Sequence, residues 1–107
     1  MFYDFPQDFK VFEPAPGFLV HVVSGQRIMF SHVTLQPNAV APLHNHAEEQ
    51  MGLVLEGEIE FTIGDETRLV KKGDMYSVPS STNHGGTAGA AGCVALDVFC
   101  PPREVYK

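Results

Sequence analysis

Glu58-Ile59-Glu60-Phe61-Thr62-Ile63, followed by Gly64-Asp65-Glu66 and the return Thr67-Arg68-Leu69-Val70, is the stretch on which the fold turns. Polar and apolar residues alternate strictly before the glycine, which is the period-two signature of a half-buried strand. A Gly-Asp turn then sends the chain back, so the run predicts an antiparallel hairpin with Ile59, Phe61 and Ile63 facing inward. The texture recurs along the chain. Val, Ile, Thr and Phe cluster at 11–13, 18–24, 28–35, 50–55, 58–63, 67–70, 75–78 and 94–99, with Gly, Pro and Asp between the clusters. Turn chemistry marks the gaps at Pro14-Ala15-Pro16-Gly17, Ser24-Gly25, Glu56-Gly57, Lys72-Gly73-Asp74 and Gly85-Gly86. No long segment carries a helical apolar period, so the fold class is all-β, a sandwich or jelly-roll barrel of about eight short strands.

The run 28–35 differs from the hairpin because Ile28 and Phe30 on one parity and Met29, Val33 and Leu35 on the other are all apolar. Both faces of that strand should lose contact with water, one of them against a second subunit, which makes a homodimer the working expectation. The aromatic N-terminal segment 1–16, with Phe2, Tyr3, Phe5, Phe9 and Phe12, is expected to cover the barrel or an adjoining subunit. A chain of 107 residues and 11.7 kDa makes one domain, 1–107. Hydrophobic residues at 44% and charged residues at 19% exclude an intrinsically disordered chain.

The formal net charge is −6, which leaves no uniform basic surface to release counterions from a phosphate backbone, so nucleic acid is not an expected partner. No apolar run approaches the roughly 20 residues that span a bilayer, and MFYDFPQDFK has neither a basic nor an apolar leader region. The expectation is no membrane and a cytoplasmic address. Cys93 and Cys100 lie in one extended run, about 23 Å apart at about 3.3 Å per residue, so they should be free thiols packed as small apolar groups.

The chemistry concentrates in Pro42-Leu43-His44-Asn45-His46-Ala47-Glu48-Glu49-Gln50. His44 and His46 share one face of an extended chain, and Gln50 has the same parity after a short bend. Downstream, Gly73-Asp74-Met75-Tyr76-Ser77-Val78-Pro79 leads through a turn to His84, which an adjacent strand can bring to the same place. Three imidazole nitrogens and one oxygen suit a divalent transition metal: Mn, Fe, Ni, Co or Zn. Glu48, which shares the histidine parity, and Glu49, which does not, compete with Gln50 for the oxygen position. His21 and His32 sit inside strands without partners at ligand spacing and read as structural or surface residues.

The order His44-x-His46, three residues, Gln50, six residues, Gly57, then Gly73, five residues, Pro79, four residues, His84 resembles the two motifs of the cupin superfamily, over about 42–57 and 73–84. The resemblance implies a single-domain cupin β-barrel. Gln50 stands where the common pattern has Glu, and Ser81 where it usually has Gly. With a glutamine carbonyl in place of a carboxylate, a dication and three neutral imidazoles keep a net charge of about +2 instead of about +1. Such a centre attracts anions more strongly, holds its metal less firmly, and lacks the carboxylate of a facial iron triad.

The His-Asn-His-Ala-Glu-Glu-Gln variant and the run Leu96-Asp97-Val98-Phe99-Cys100-Pro101-Pro102-Arg103-Glu104 look like the small pectin-degradation cupins of the KdgF type. That likeness implies conversion of 4,5-unsaturated uronic acid monosaccharides, small anionic sugar acids, to linear ketonised sugars. It carries the metal ligands to His44, His46, Gln50 and His84, and the residues acting on substrate to Asp97, Phe99 and Arg103. Asp97 lies in an otherwise apolar strand and faces either solvent or a cavity, where burial and a cation pull its proton affinity in opposite directions. Arg103 offers a rigid fork for a uronate carboxylate, and Phe99, on the parity of Asp97, an apolar floor for a sugar ring. Asp97 as a structural acid and Arg103 as an ion-pair partner are the plainer alternatives. The competing functions are an oxygen-dependent cupin dioxygenase and a noncatalytic sugar- or metal-binding cupin.

Overall fold

A computed structural model describes the whole of Met1–Lys107. The elements are β1 (Lys10–Ala15), β2 (Phe18–Ser24), β3 (Met29–Leu35), β4 (Val40–His44), β5 (Glu49–Ile63), β6 (Glu66–Lys71), β7 (Met75–Val78) and β8 (His84–Cys100), closed by a short 3-10 turn at Glu104–Tyr106. All pairings are antiparallel, in the order β1-β2-β3-β8-β5-β6, with β4 on β8 and β7 on β5. This is the all-β barrel that the alternation predicts.

Two long strands organise it. β5 and β8 pair from Glu49 opposite Cys100 to Ile63 opposite His84. Each changes its outer partner midway: β8 joins β4 through His84–Thr87 and β3 through Cys93–Phe99, while β5 joins β7 early and β6 late. The change of partner lets one pair of strands serve two layers. It happens at a bend where the register shifts twice around Gly57, whose φ is 72°. A Cβ at Gly57 would fall on the carbonyl of Gly92, itself at φ 80°, so β5 and β8 approach closely here because Gly57 lacks a side chain, while one on Gly92 would press on the Leu35 carbonyl of β3.

The hairpin of β5 and β6 has the expected facing, with Ile59 and Phe61 buried and Ile63 half-buried. They join Val20, Val22, Met29, Val33, Leu35, Val54, Val78, Ala95 and Phe99 in one core between the layers. The strand boundaries differ from the sequence reading in three places. The runs 50–55 and 58–63 form a single strand, because Gly57 bends the chain without ending the hydrogen-bond ladder. Val40–His44 is a strand that composition conceals, since it carries Pro42. Gly85-Gly86 is strand, not turn: a Cβ on Gly85 would press on Leu43 and Ala41 backbone, and one on Gly86 on the Glu60 carbonyl, so glycine there permits close packing.

Cys93 and Cys100 are free; Cys93 is buried as expected, but Cys100 is exposed, at the end of β8 where the chain leaves the sheet. On β3 the parity of Met29, Ser31, Val33 and Leu35 faces the core, and Phe30 faces out. The outer wall continues across the sheet in two rows set by register: Val23, Phe30, Val98, Met51 and Ser77, then His21, His32, Leu96, Leu53 and Met75. Neither row contains an acid, a lysine or an arginine. Phe5 of the N-terminal segment lies over one end of this wall, with ring centroids 5.1 Å from His21 and 4.6 Å from His32.

Candidate metal centre and adjoining cavity

His44 ends β4 directly opposite His84, the first residue of β8, so sheet register alone puts these imidazoles side by side at 4.3 Å between centroids. His46 follows in the loop before β5 and comes within 4.9 Å of His84. The ligand nitrogens of the three histidines all lie within 4.8 Å of one another. Each ring is also fixed on its far side. The Nδ1–H of His44 donates to the Pro42 carbonyl at 2.9 Å, that of His46 to Glu48 at 3.0 Å and that of His84 to Thr82 at 2.8 Å. Backbone acceptors of this kind select the tautomer whose Nε2 lone pair is free, the usual support of metal-binding imidazoles.

The group fits a metal ion. Nε2 of His84 is buried with no hydrogen-bond partner, a cost that an ion at the common centre would remove. Burial, together with the neighbouring His44, His46 and Arg103, pushes the His84 pKa down to about 4, so the ring is neutral at pH 7. Burial and Arg103 lower His46 as well. Neutral rings are ready ligands. Gln50 is buried on the inner face of β5, and its Oε1 lies 3.1 Å from Nε2 of His46. Of the competing carboxylates, Glu48 turns away: its Oε1 sits 3.5 Å from Nδ1 of His46 and 3.9 Å from Nε of Arg103. Glu49 is exposed.

A cavity of about 280 Å³ opens beside the histidines, at the small end of the roughly 300–1,000 Å³ usual for ligand pockets. Asp97, Phe99 and Arg103 all line it, so Asp97 faces a cavity and not solvent. Burial raises its pKa to about 6, against hydrogen bonds from Tyr76 and Gln50 that favour the ionised form. Phe99 is buried and packs edge-on to His46, with centroids 5.5 Å apart. The Arg103 guanidinium lies 5.5 Å from the Phe99 centroid and 4.8 Å from that of Tyr106. Its carboxylate neighbour is Glu48, neither Glu104 nor Asp97.

Two aromatic residues of the cavity were not singled out from sequence. Tyr76 on β7 donates its hydroxyl to Oδ1 of Asp97 at 2.5 Å. Its signal was legible, since it shares strand parity with buried Val78. Tyr106 packs on Phe12 of β1 at 5.2 Å and lines the mouth; nothing local in the tail marks it.

An eight-stranded antiparallel barrel with three converging histidines at one end is the architecture of a cupin, and the cupin-domain family model matches residues 31–99. The chain belongs to that family. It is 31% identical over 80 residues to the pectin degradation protein KdgF of Dickeya dadantii (strain 3937), covering 74% of this chain and 73% of that protein. Among solved structures, KdgF from Halomonas sp. superposes with a TM-score of 0.83 at 25% identity, covering 94% of this chain and 93% of that one. An RmlC-like cupin from Shewanella frigidimarina NCIMB 400 gives a TM-score of 0.87 at 22% identity over 98% and 95% of the two chains, and shows the shared fold. The likeness to KdgF matches the family resemblance carried by the motifs.

Proposed function

We propose that the protein converts 4,5-unsaturated uronic acid monosaccharides to their linear ketonised form, with a divalent transition metal (Mn, Fe, Ni, Co or Zn) held by His44, His46, Gln50 and His84. The observation that carries this reading is the adjacency of a three-histidine cluster to a cavity holding one buried acid and one arginine. The Dickeya dadantii relative, named as the pectin degradation protein KdgF, supports the substrate class, and the KdgF structure from Halomonas sp. shares its name and this fold.

The metal would supply a Lewis acid for the sugar oxygens. Arg103 binds the uronate carboxylate from the mouth, and Phe99 gives the ring a flat apolar contact. Asp97, with its pKa near 6, is poised to give and take a proton close to neutral pH. In its protonated state it delivers that proton to the enol-ether carbon. The resulting cation collapses as the ring oxygen–anomeric carbon bond breaks and the anomeric hydroxyl returns its proton to Asp97. The products of that step are a ketone and an aldehyde, so the change is an isomerisation. Apolar walls around Asp97 exclude bulk water, which strengthens each of these contacts. A glutamine in place of the usual carboxylate favours this anionic substrate over facial-triad iron oxygenation.

We also infer that the uncharged outer wall around Phe30, Met51 and Met75 is covered by a second copy, giving a homodimer. The activity is tested by adding metal-loaded protein to an unsaturated galacturonate and following loss of the enol-ether absorbance. The expected result is decay well above the spontaneous rate, abolished by His84→Ala and by Asp97→Ala. Decay at the spontaneous rate in the wild type would refute the reading.

A further inference from the structure

Register places Asp97 of β8 and Tyr76 of β7 on either side of Gly52, so the three form one cross-strand row on the inner face of the barrel. A Cβ on Gly52 would fall on both Asp97 Oδ1 and the Tyr76 ring, so the acid and the phenol meet in the space that the missing side chain leaves. The Asp97 carboxylate therefore accepts from Tyr76 on one side. On the other side lies Gln50, its diagonal neighbour one row along on the inner face of β5, placed to favour the ionised carboxylate. A carboxylate cannot donate, so the end of the Gln50 amide that faces it is the NH2. That leaves Oε1 pointing at the histidines, where it is found 3.1 Å from His46 Nε2.

An amide has a right and a wrong end for a cation, and the two differ little in shape. We infer that Tyr76 and Asp97 are positioning residues that fix the polarity of the Gln50 amide, Tyr76 by holding the carboxylate and Asp97 by accepting the amide NH2, so that a neutral carbonyl can serve as a ligand. This rests on the metal-site reading above and adds a second role for Asp97 beside proton transfer. The same row explains the glycine in mid-strand, where glycine otherwise weakens a sheet.

The test uses chelator-treated protein titrated with Co(II), read by calorimetry and by the visible ligand-field spectrum, with a thermal melt on every variant. Asp97→Asn blurs the distinction between the two amide ends and is expected to weaken Co(II) binding about tenfold, the size of effect typical when a ligand's support is removed. Tyr76→Phe is expected to weaken it less, in the same direction, and keeps the test open if Asp97→Asn folds poorly. Gln50→Glu separates orientation from general damage, because a carboxylate has no wrong end. In that background Asp97→Asn should no longer weaken binding, and its amide can donate to the new ligand. Unchanged affinity and spectrum in both Asp97→Asn and Tyr76→Phe would overturn the inference, as would an equal loss in the Gln50→Glu background. Failure of the wild type to bind Co(II), or binding undiminished by His84→Ala, would instead remove the metal site itself and this inference with it.

Discussion

The backbone N–H of Ser81 donates to the carbonyl of His46 at 2.8 Å, tying the turn after β7 to the loop that bears one of the three clustered histidines. Ser80 reinforces the tie by donating its hydroxyl to the Ala47 carbonyl. Ser81 has a φ of 62°, so the turn needs the left-handed conformation that glycine adopts freely. That conformation costs a side chain about 1–2 kcal/mol, partly offset by the extra freedom glycine has when unfolded. Ser81→Gly should raise stability by about 0.5 kcal/mol in denaturant titration, with metal affinity unchanged.

Metal binding should stabilise the fold, since the three ligand nitrogens already converge in the native chain and not in the unfolded one. A metal at a hundred times its dissociation constant adds about 2.7 kcal/mol. The expected result is an upward shift of Tm on adding Mn(II), Ni(II) or Co(II), reversed by chelator and absent in His84→Ala. An unshifted wild type would contradict it.

Gly52→Ala introduces a methyl group where Asp97 and Tyr76 meet. Overpacking of this kind costs about 1–3 kcal/mol. Thermal or denaturant unfolding should record that loss, together with reduced turnover as the acid is displaced.

His32 and His21 are paired across β2 and β3 beneath Phe5, and neither Nδ1 has a partner. Burial, then the facing His21, lowers the pKa of His32 from 6.5. The unfolded chain takes up a proton there before the folded one does, so this residue contributes stability that is complete above pH 6.5 and declines as pH falls below it. His32→Gln should therefore reduce the drop in Tm between pH 7.5 and pH 5.5. An unaltered slope would show that His32 does not titrate in this way.

If a second copy covers the outer wall, light scattering should give twice 11.7 kDa for the wild type. Phe30→Glu places a charge in the middle of the uncharged row and should yield monomers that keep their fold. A monomeric wild type would refute the dimer.

Much of this protein is local in origin. Alternation at 58–63 determined a half-buried hairpin, because side chains on a strand reverse face at each residue and only one face can be dry. The His44-x-His46 spacing determined two imidazoles on one side of an extended chain. Those readings need no knowledge of what lies across the sheet. The tertiary structure decided what pairs at long range: that β4 exists and sets His44 against His84, that Gln50 and not Glu48 turns toward His46 Nε2, and that Asp97 faces a cavity and meets Tyr76 over Gly52. Each depends on the register of strands distant in the chain, where a shift of one residue would turn every side chain to the opposite face.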